Sequence, residues 1–186
     1  MRLEAALIAS GARGAAVRKT GIGPQRARLA AGELGEQAGR AMLVLGFCGG
    51  LDDSSVPGEV IVAGEVCAAP GEGDPQEPIA CDLSVALLGQ LTGLGMKVRT
   101  GRLVCVSRPA LAERRAELGA GGAIAVDMES AWLAAGARGR PFGVVRVVLD
   151  SPAHELLRPQ AVAGALRAAI SLRRVAAALH EWVPED

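Results

Sequence analysis

Five short apolar runs recur along the chain, each bounded by glycine, proline or charged residues: AMLVLGF from Ala41, EVIVAGEV from Glu59, RLVCV from Arg102, AIAV from Ala123 and FGVVRVVL from Phe142. A strand with one wet face must alternate apolar with polar. Continuous runs of this length instead suit strands buried on both faces, as in a sheet covered by helices. Helical patterns fill the gaps. Pro24 to Gly39 is rich in Ala, Leu and Glu, begins with proline after GIG and ends at a glycine, the asymmetry expected of helix ends. Leu83 to Leu94, Pro109 to Leu118, Met128 to Ala137 and Pro159 to Trp182 read as further helices. Strands alternating with helices predict an α/β fold with a mainly parallel, helix-covered sheet. The 186 residues suit one domain, 1–186, with one substantial core. Ala68 to Pro78, AAPGEGDPQEP, reads as a surface loop; its GEGDP portion lacks the lysine and the strand-to-helix setting of a phosphate-binding loop.

Charge narrows the partners. Twenty Lys plus Arg balance twenty Asp plus Glu, so no basic excess points to nucleic acid or an anionic membrane. A small molecule or another protein is the expected partner. With two Phe, two Trp and no Tyr, any platform for stacking a base is built from little aromatic material. The four cysteines, Cys48, Cys67, Cys81 and Cys105, have no CxxC spacing, and the two histidines, His154 and His180, stand far along the chain. Neither a metal site nor a disulfide framework is expected. No leader pattern and no apolar run of about 18 residues is present, which predicts a cytoplasmic protein with reduced thiols and no integral membrane segment.

Three polar features fall at the carboxyl ends of predicted strands, where open α/β sheets bind ligands. In LVLGFCGGL a buried-strand pattern runs into Gly46, Phe47, Cys48, Gly49 and Gly50; a glycine turn there would bring amide groups close to an anion, a water or a sugar. A tight turn chosen for geometry alone is the plainer account. Cys48 reads as a small buried hydrophobe, with no histidine near it in sequence. In AVDMES, Ala125 to Ser130, Asp127 fits a helix cap and Glu129 a favourable first-turn charge. Asp150 ends the run VVRVVLD and is either a rim ligand or a loop aspartate before Ser151 and Pro152.

In order, TGIG (Thr20 to Gly23), GFCGGL (Gly46 to Leu51), PGEVIVAGEV (Pro57 to Val66), AVDMES and VVRVVLDSP (Val144 to Pro152) resemble the purine nucleoside phosphorylase and nucleosidase superfamily. They look like the branch containing methylthioadenosine/S-adenosylhomocysteine nucleosidase. Within it, AVDMES, RPFGVVRVVLD and LLRPQAV look most like the hopanoid-biosynthesis nucleoside phosphorylase, whose assigned reaction removes adenine from adenosylhopane. The resemblance implies a three-layer α/β/α fold with a twisted mixed central sheet, a homo-oligomer, and no metal or organic cofactor, with phosphate possible as co-substrate. It makes Asp150 the acid that protonates or hydrogen-bonds the purine at N7. Glu129 would bind the ribose hydroxyls and Met128 pack on sugar and base. Phe47, Cys48 and Gly49 would line the site, with the turn around them near the attacking water or phosphate, and Asp127 would lie near the ligand. Methylthioadenosine or S-adenosylhomocysteine hydrolysis is the rival activity, and a catalytically weak nucleoside-binding homologue is a third reading.

The chain also departs from that pattern. Family members open with a buried strand and an acidic segment whose last glutamate positions the attacking water. Here MRLEAAL begins just after that strand. Glu4 matches the water-positioning glutamate or is a first-turn surface residue. Either the start lies further upstream or the usual first strand is missing, with impaired catalysis. Leu149 stands where nucleosidases commonly carry serine, and Ser107, Arg108 and Pro109 lack the phenylalanine that stacks on the purine. Arg108 would attract phosphate or a substrate carboxylate, or simply be a surface arginine.

Overall fold

The structure is a computed structural model that describes residues 6–8, 10, 17–154 and 161–180. The elements run α1 (Pro24–Gly35), β1 (Met42–Gly50), β2 (Val60–Ala68), β3 (Ile79–Ala80), α2 (Ser84–Gly93), β4 (Val98–Cys105), α3 (Ala112–Ala120) and β5 (Ala123–Asp127). A short α4 (Ser130–Leu133) passes into a 3-10 turn (Ala134–Ala137), followed by β6 (Phe142–Asp150) and α5 (Ala161–His180). Each apolar run became a strand. No strand precedes β1 among the described residues, and residues 6–8 are helical.

The sheet order is β3-β2-β4-β5-β1-β6, and β2 pairs with β6 as well. Five strands therefore close into a ring, with β3 on the outer edge of β2. The expectation of a mainly parallel sheet is corrected. β1 and β6 run one way, while β2, β4 and β5 run the other. A closed ring made of two such groups must contain two antiparallel seams, β1–β5 and β2–β6. The mixed sheet implied by the family resemblance is the one found.

Closure explains the continuous apolar runs. In β6, Val144 and Val148 join one core cluster with Trp132 and Leu133, whereas Val145 and Val147 join a second with Leu87 and Leu172. Successive residues thus point into opposite layers, and both layers are dry. Helix α2 supplies Leu87 and Leu91, and α5 supplies Leu172, Val175, Ala176 and Leu179, all in the second cluster. Their spacing places them on one helical face, and fully burying each leucine is worth about 1.5–3 kcal/mol.

The helix expected from Pro109 to Leu118 is shifted to Ala112–Ala120, and two others differ more. α1 stops at Gly35, not Gly39, because the Arg140 guanidinium donates to the carbonyls of Leu34 and Gln37 and caps the end. The helix expected from Met128 to Ala137 is only Ser130–Leu133 plus the 3-10 turn, where Gly136 lies against the Ala31 backbone too closely to admit a side chain. The loop 69–78 is irregular, as expected, yet it is tied down: Trp132 Nε1 donates to Asp74 O at 2.7 Å, and Arg28 stacks over the same indole.

Candidate active site

The carboxyl ends of β1, β5 and β6 meet because β1 pairs with both of the others. A cavity of about 750 Å3 opens there. Phe47, Cys48 and Gly49 line it from β1, Asp127, Met128 and Glu129 from the β5–α4 junction, and Asp150 from β6. The residues singled out on those three segments thus share one hollow. Glu4 lies outside the described residues.

Gly46 to Gly50 is not the expected turn. It is the end of β1, and the chain turns only from Leu51 onward. The Gly49 and Gly50 backbone sits between β5 and β6, in register with Val126, Ala125 and Asp150. Their amides therefore belong to the sheet ladders, which weakens the idea that they cradle an anion. What Gly49 contributes is space. A Cβ there would lie 3.1 Å from Arg115 Nη2 and 3.3 Å from Asp150 Oδ1, so the absent side chain lets an ion pair cross the strand end.

That pair is the main surprise. Arg115 Nη2 lies 2.6 Å from Asp150 Oδ2, and both side chains are largely buried. Arg115 Nε donates to Ala110 O at 2.9 Å, which fixes the guanidinium in place. Asp150 therefore stands in the cavity wall as one half of an ion pair and not as an isolated carboxyl.

Asp127 is the hub of a buried network. Its carboxylate accepts from the Glu129 and Ser130 amides, from Ser130 Oγ at 2.5 Å and from Cys105 Sγ at 2.7 Å. Arg146 Nη2 approaches Asp127 Oδ2 at 2.5 Å and also donates to Ser130 Oγ. The helix-capping expectation is thus met in substance, although Glu129 is the formal cap residue. Such an aspartate builds the floor of the site.

The contacts that place the Glu129 carboxylate include Gly23 and Arg146. Oε1 accepts the Gly23 amide at 3.2 Å, and Oε2 lies 3.7 Å from Arg146 Nη2. Gly23 sits at φ 87°, a conformation that glycine adopts without strain; this gives the TGIG block its place in the architecture and brings Ile22 to the cavity wall. Met128 packs beside the small cluster of Val104, Leu118 and Val126. Burial pushes the Cys48 thiol far above its ordinary range, and Asp127, Asp150 and Glu59 add to that against the opposing Arg146. Cys48 is therefore a wall and not a nucleophile.

Leu149 and Pro109 also face the cavity, whereas Arg108 is exposed and does not line it. Sequence reasoning missed Arg115 and Arg146. A signal existed for both. Arg146 is a lone charge inside an apolar strand, and such a charge needs a buried partner. Arg115 falls in helical phase with the buried Leu118, but its neighbours Glu113, Arg114 and Glu117 disguise the segment as a solvated face.

Among the described residues no helix is long and apolar enough to cross a membrane, and no group of three or more His, Cys, Asp or Glu side chains is placed to hold a metal ion.

A family model described as "Phosphorylase superfamily" matches residues 6–179. No protein of curated function matches the sequence significantly. Among solved structures, the fold is similar to the 5′-methylthioadenosine/S-adenosyl homocysteine nucleosidase of Campylobacter jejuni, with TM-score 0.71, 19% identity, and 88% of this chain and 79% of that one covered. The corresponding nucleosidase of Colwellia psychrerythraea 34H, in complex with adenine, gives TM-score 0.71 and 23% identity over 87% of this chain and 75% of that one. A futalosine hydrolase mutant of Helicobacter pylori gives TM-score 0.73 and 16% identity over 98% and 96%. At these identities the likeness is one of fold.

Proposed function

We propose that this chain, which belongs to the phosphorylase superfamily, cleaves the N-glycosidic bond of an adenine nucleoside with a large apolar 5′ group, adenosylhopane being the favoured substrate. Breaking a ribosyl–purine bond leaves positive charge on the sugar and negative charge on the departing base. An anion near the ribose and a polar partner at the base lower the cost of both. In this reading Glu129 meets the ribose hydroxyls, Met128 packs against the sugar and Phe47 gives the base an apolar face. Asp150 acts at the purine N7 edge, and Glu4 positions the nucleophile. Water or phosphate attacks, no metal or organic cofactor takes part, and the chain works as a cytoplasmic homo-oligomer.

One observation carries the reading. Glu129 and Asp150 line a single cavity of about 750 Å3 whose remaining wall is mostly apolar, including Ile22, Val106, Leu111, Met128 and Leu149. That volume lies in the upper part of the roughly 300–1,000 Å3 typical of small-molecule sites, and Leu111 and Ile22 remain 73% and 48% exposed beside it. A small closed pocket would suit methylthioadenosine. An open apolar one suits a larger 5′ substituent.

The test is release of free base from methylthioadenosine, S-adenosylhomocysteine, inosine and an adenosylhopane analogue, with and without phosphate and with a chelator present. Release is expected to be fastest from the apolar 5′ analogue and unaffected by chelation. Asp150→Asn should slow it by about 10²–10⁴-fold. A variant as fast as wild type removes Asp150 from the mechanism, and binding without release from any nucleoside favours the non-catalytic reading.

A further inference from the structure

The Arg115–Asp150 pair does not fit a lone carboxylic acid at the base. Arg115 lines the cavity, is held by its Nε on the Ala110 carbonyl, and touches Asp150 through Nη2. A guanidinium carries five N–H donors; the hydrogen bonds of Arg115 among the described residues use Nε and Nη2 and leave Nη1 for a ligand. The pair therefore offers a donor and an acceptor side by side at the carboxyl end of β6. The N7 edge of adenine offers the converse, an acceptor at N7 and a donor at the 6-amino group. A 6-oxopurine offers two acceptors there, and its O6 would face the carboxylate.

We propose that Arg115 and Asp150 meet the leaving base as a charged pair, Arg115 donating to N7 and Asp150, as the carboxylate, accepting from the 6-amino group. The inference rests on the reading above for site and substrate, and revises only which group meets N7. The C1′–N9 bond breaks with its electron pair going to the purine. The guanidinium stabilises that developing charge at N7 and keeps its proton. The nucleophile oxygen forms the new bond to C1′, and the proton that neutralises the base comes from the attacking water or hydrogen phosphate through solvent. Arg115 is then a catalytic residue and a determinant of 6-amino over 6-oxo preference, and Asp150 needs no proton of its own.

The competing account is an ion pair that only braces α3 against β6. Binding of the free bases adenine, 7-deazaadenine and hypoxanthine to the full chain, measured by calorimetry, separates the two. A charge-assisted hydrogen bond to N7 predicts that wild type binds adenine roughly tenfold to a hundredfold more tightly than 7-deazaadenine. Hypoxanthine should bind more weakly than adenine. Arg115→Gln should bring the adenine to 7-deazaadenine ratio within about threefold, and Arg115→Lys should retain part of it. Equal wild-type binding of the two bases overturns the proposal without needing any variant to fold. An unchanged ratio in a folded Arg115→Gln does the same. In either case, release of adenine in the nucleoside assay leaves the glycosidic reading standing. If wild type binds none of the bases and releases none, both fall together.

Discussion

Replacing Arg146 by methionine tests how much the buried network under the site holds the fold together. Arg146 is 3% exposed on β6, and Asp127, its partner at 2.5 Å, has a fully buried side chain. The same guanidinium donates to Ser130 Oγ through Nη2 at 2.8 Å and Nε at 3.2 Å. Methionine keeps the length and apolar bulk but leaves the Asp127 charge without its cation. Removing one partner of a buried ion pair costs about 3–5 kcal/mol, a large share of the 5–15 kcal/mol that usually holds a domain folded. Urea unfolding of the full chain should show the midpoint falling by that free energy with the slope unchanged. In a thermal scan the same loss corresponds to a decrease of roughly 6–20 °C, from about 2–4 °C per kcal/mol for a chain of this size. Adding Asp127→Asn to Arg146→Met should recover part of the loss, because the orphaned charge is gone. A single-variant loss below about 1 kcal/mol, or a double variant whose loss is the plain sum, would refute the reasoning.

Two further predictions follow from side chains outside the reaction. Arg99 holds the Asp52 carboxyl well below its ordinary range, chiefly through their hydrogen bond, with Ser54 and Ser55 adding to it. A depressed folded value gives stability that is present above the unfolded value of about 3.9 and lost as pH falls below it. Asp52 is partly exposed, so Asp52→Asn should cost no more than about 1 kcal/mol at pH 7, and its difference from wild type should shrink in unfolding curves below pH 4. Burial raises the thiols of Cys48, Cys67, Cys81 and Cys105, with Cys81 pushed up to about 12. Alkylation followed by mass spectrometry at pH 8 should therefore label them only in denaturant, and labelling of Cys48 in the native chain would contradict its placement as a wall.

Much of the architecture was readable along the chain. Each apolar run is a strand; β2 and β6 are buried on both faces over most of their length, whereas β1 alternates buried with half-buried residues. Helix positions followed the same logic, and their errors occurred where long-range contacts intervene. Arg140 reaches back to stop α1, and Ala31 crowds Gly136. The direction of the sheet was misread from alternation alone, since periodicity says nothing about which strand becomes whose neighbour. Asp127 and Glu129, two residues apart in one motif, received different assignments. Asp127, at the floor of the cavity, is engaged by Ser130 and Arg146, while Glu129 lines the cavity and reaches Gly23.

From residue order alone came the existence of the strands and helices, the balance of twenty basic against twenty acidic residues, and the candidates at the strand ends. Hydrophobic burial and helix-end chemistry are written into neighbouring residues and need no partner to be visible. The ring closure through β2 and β6, the conversion of the glycine turn into a strand, and the meeting of Arg115 with Asp150 across Gly49 came only with the folded chain. Each depends on segments distant in sequence approaching within a few ångströms, and a charge such as Arg115 shows whether it is solvated or paired only once its partner has arrived.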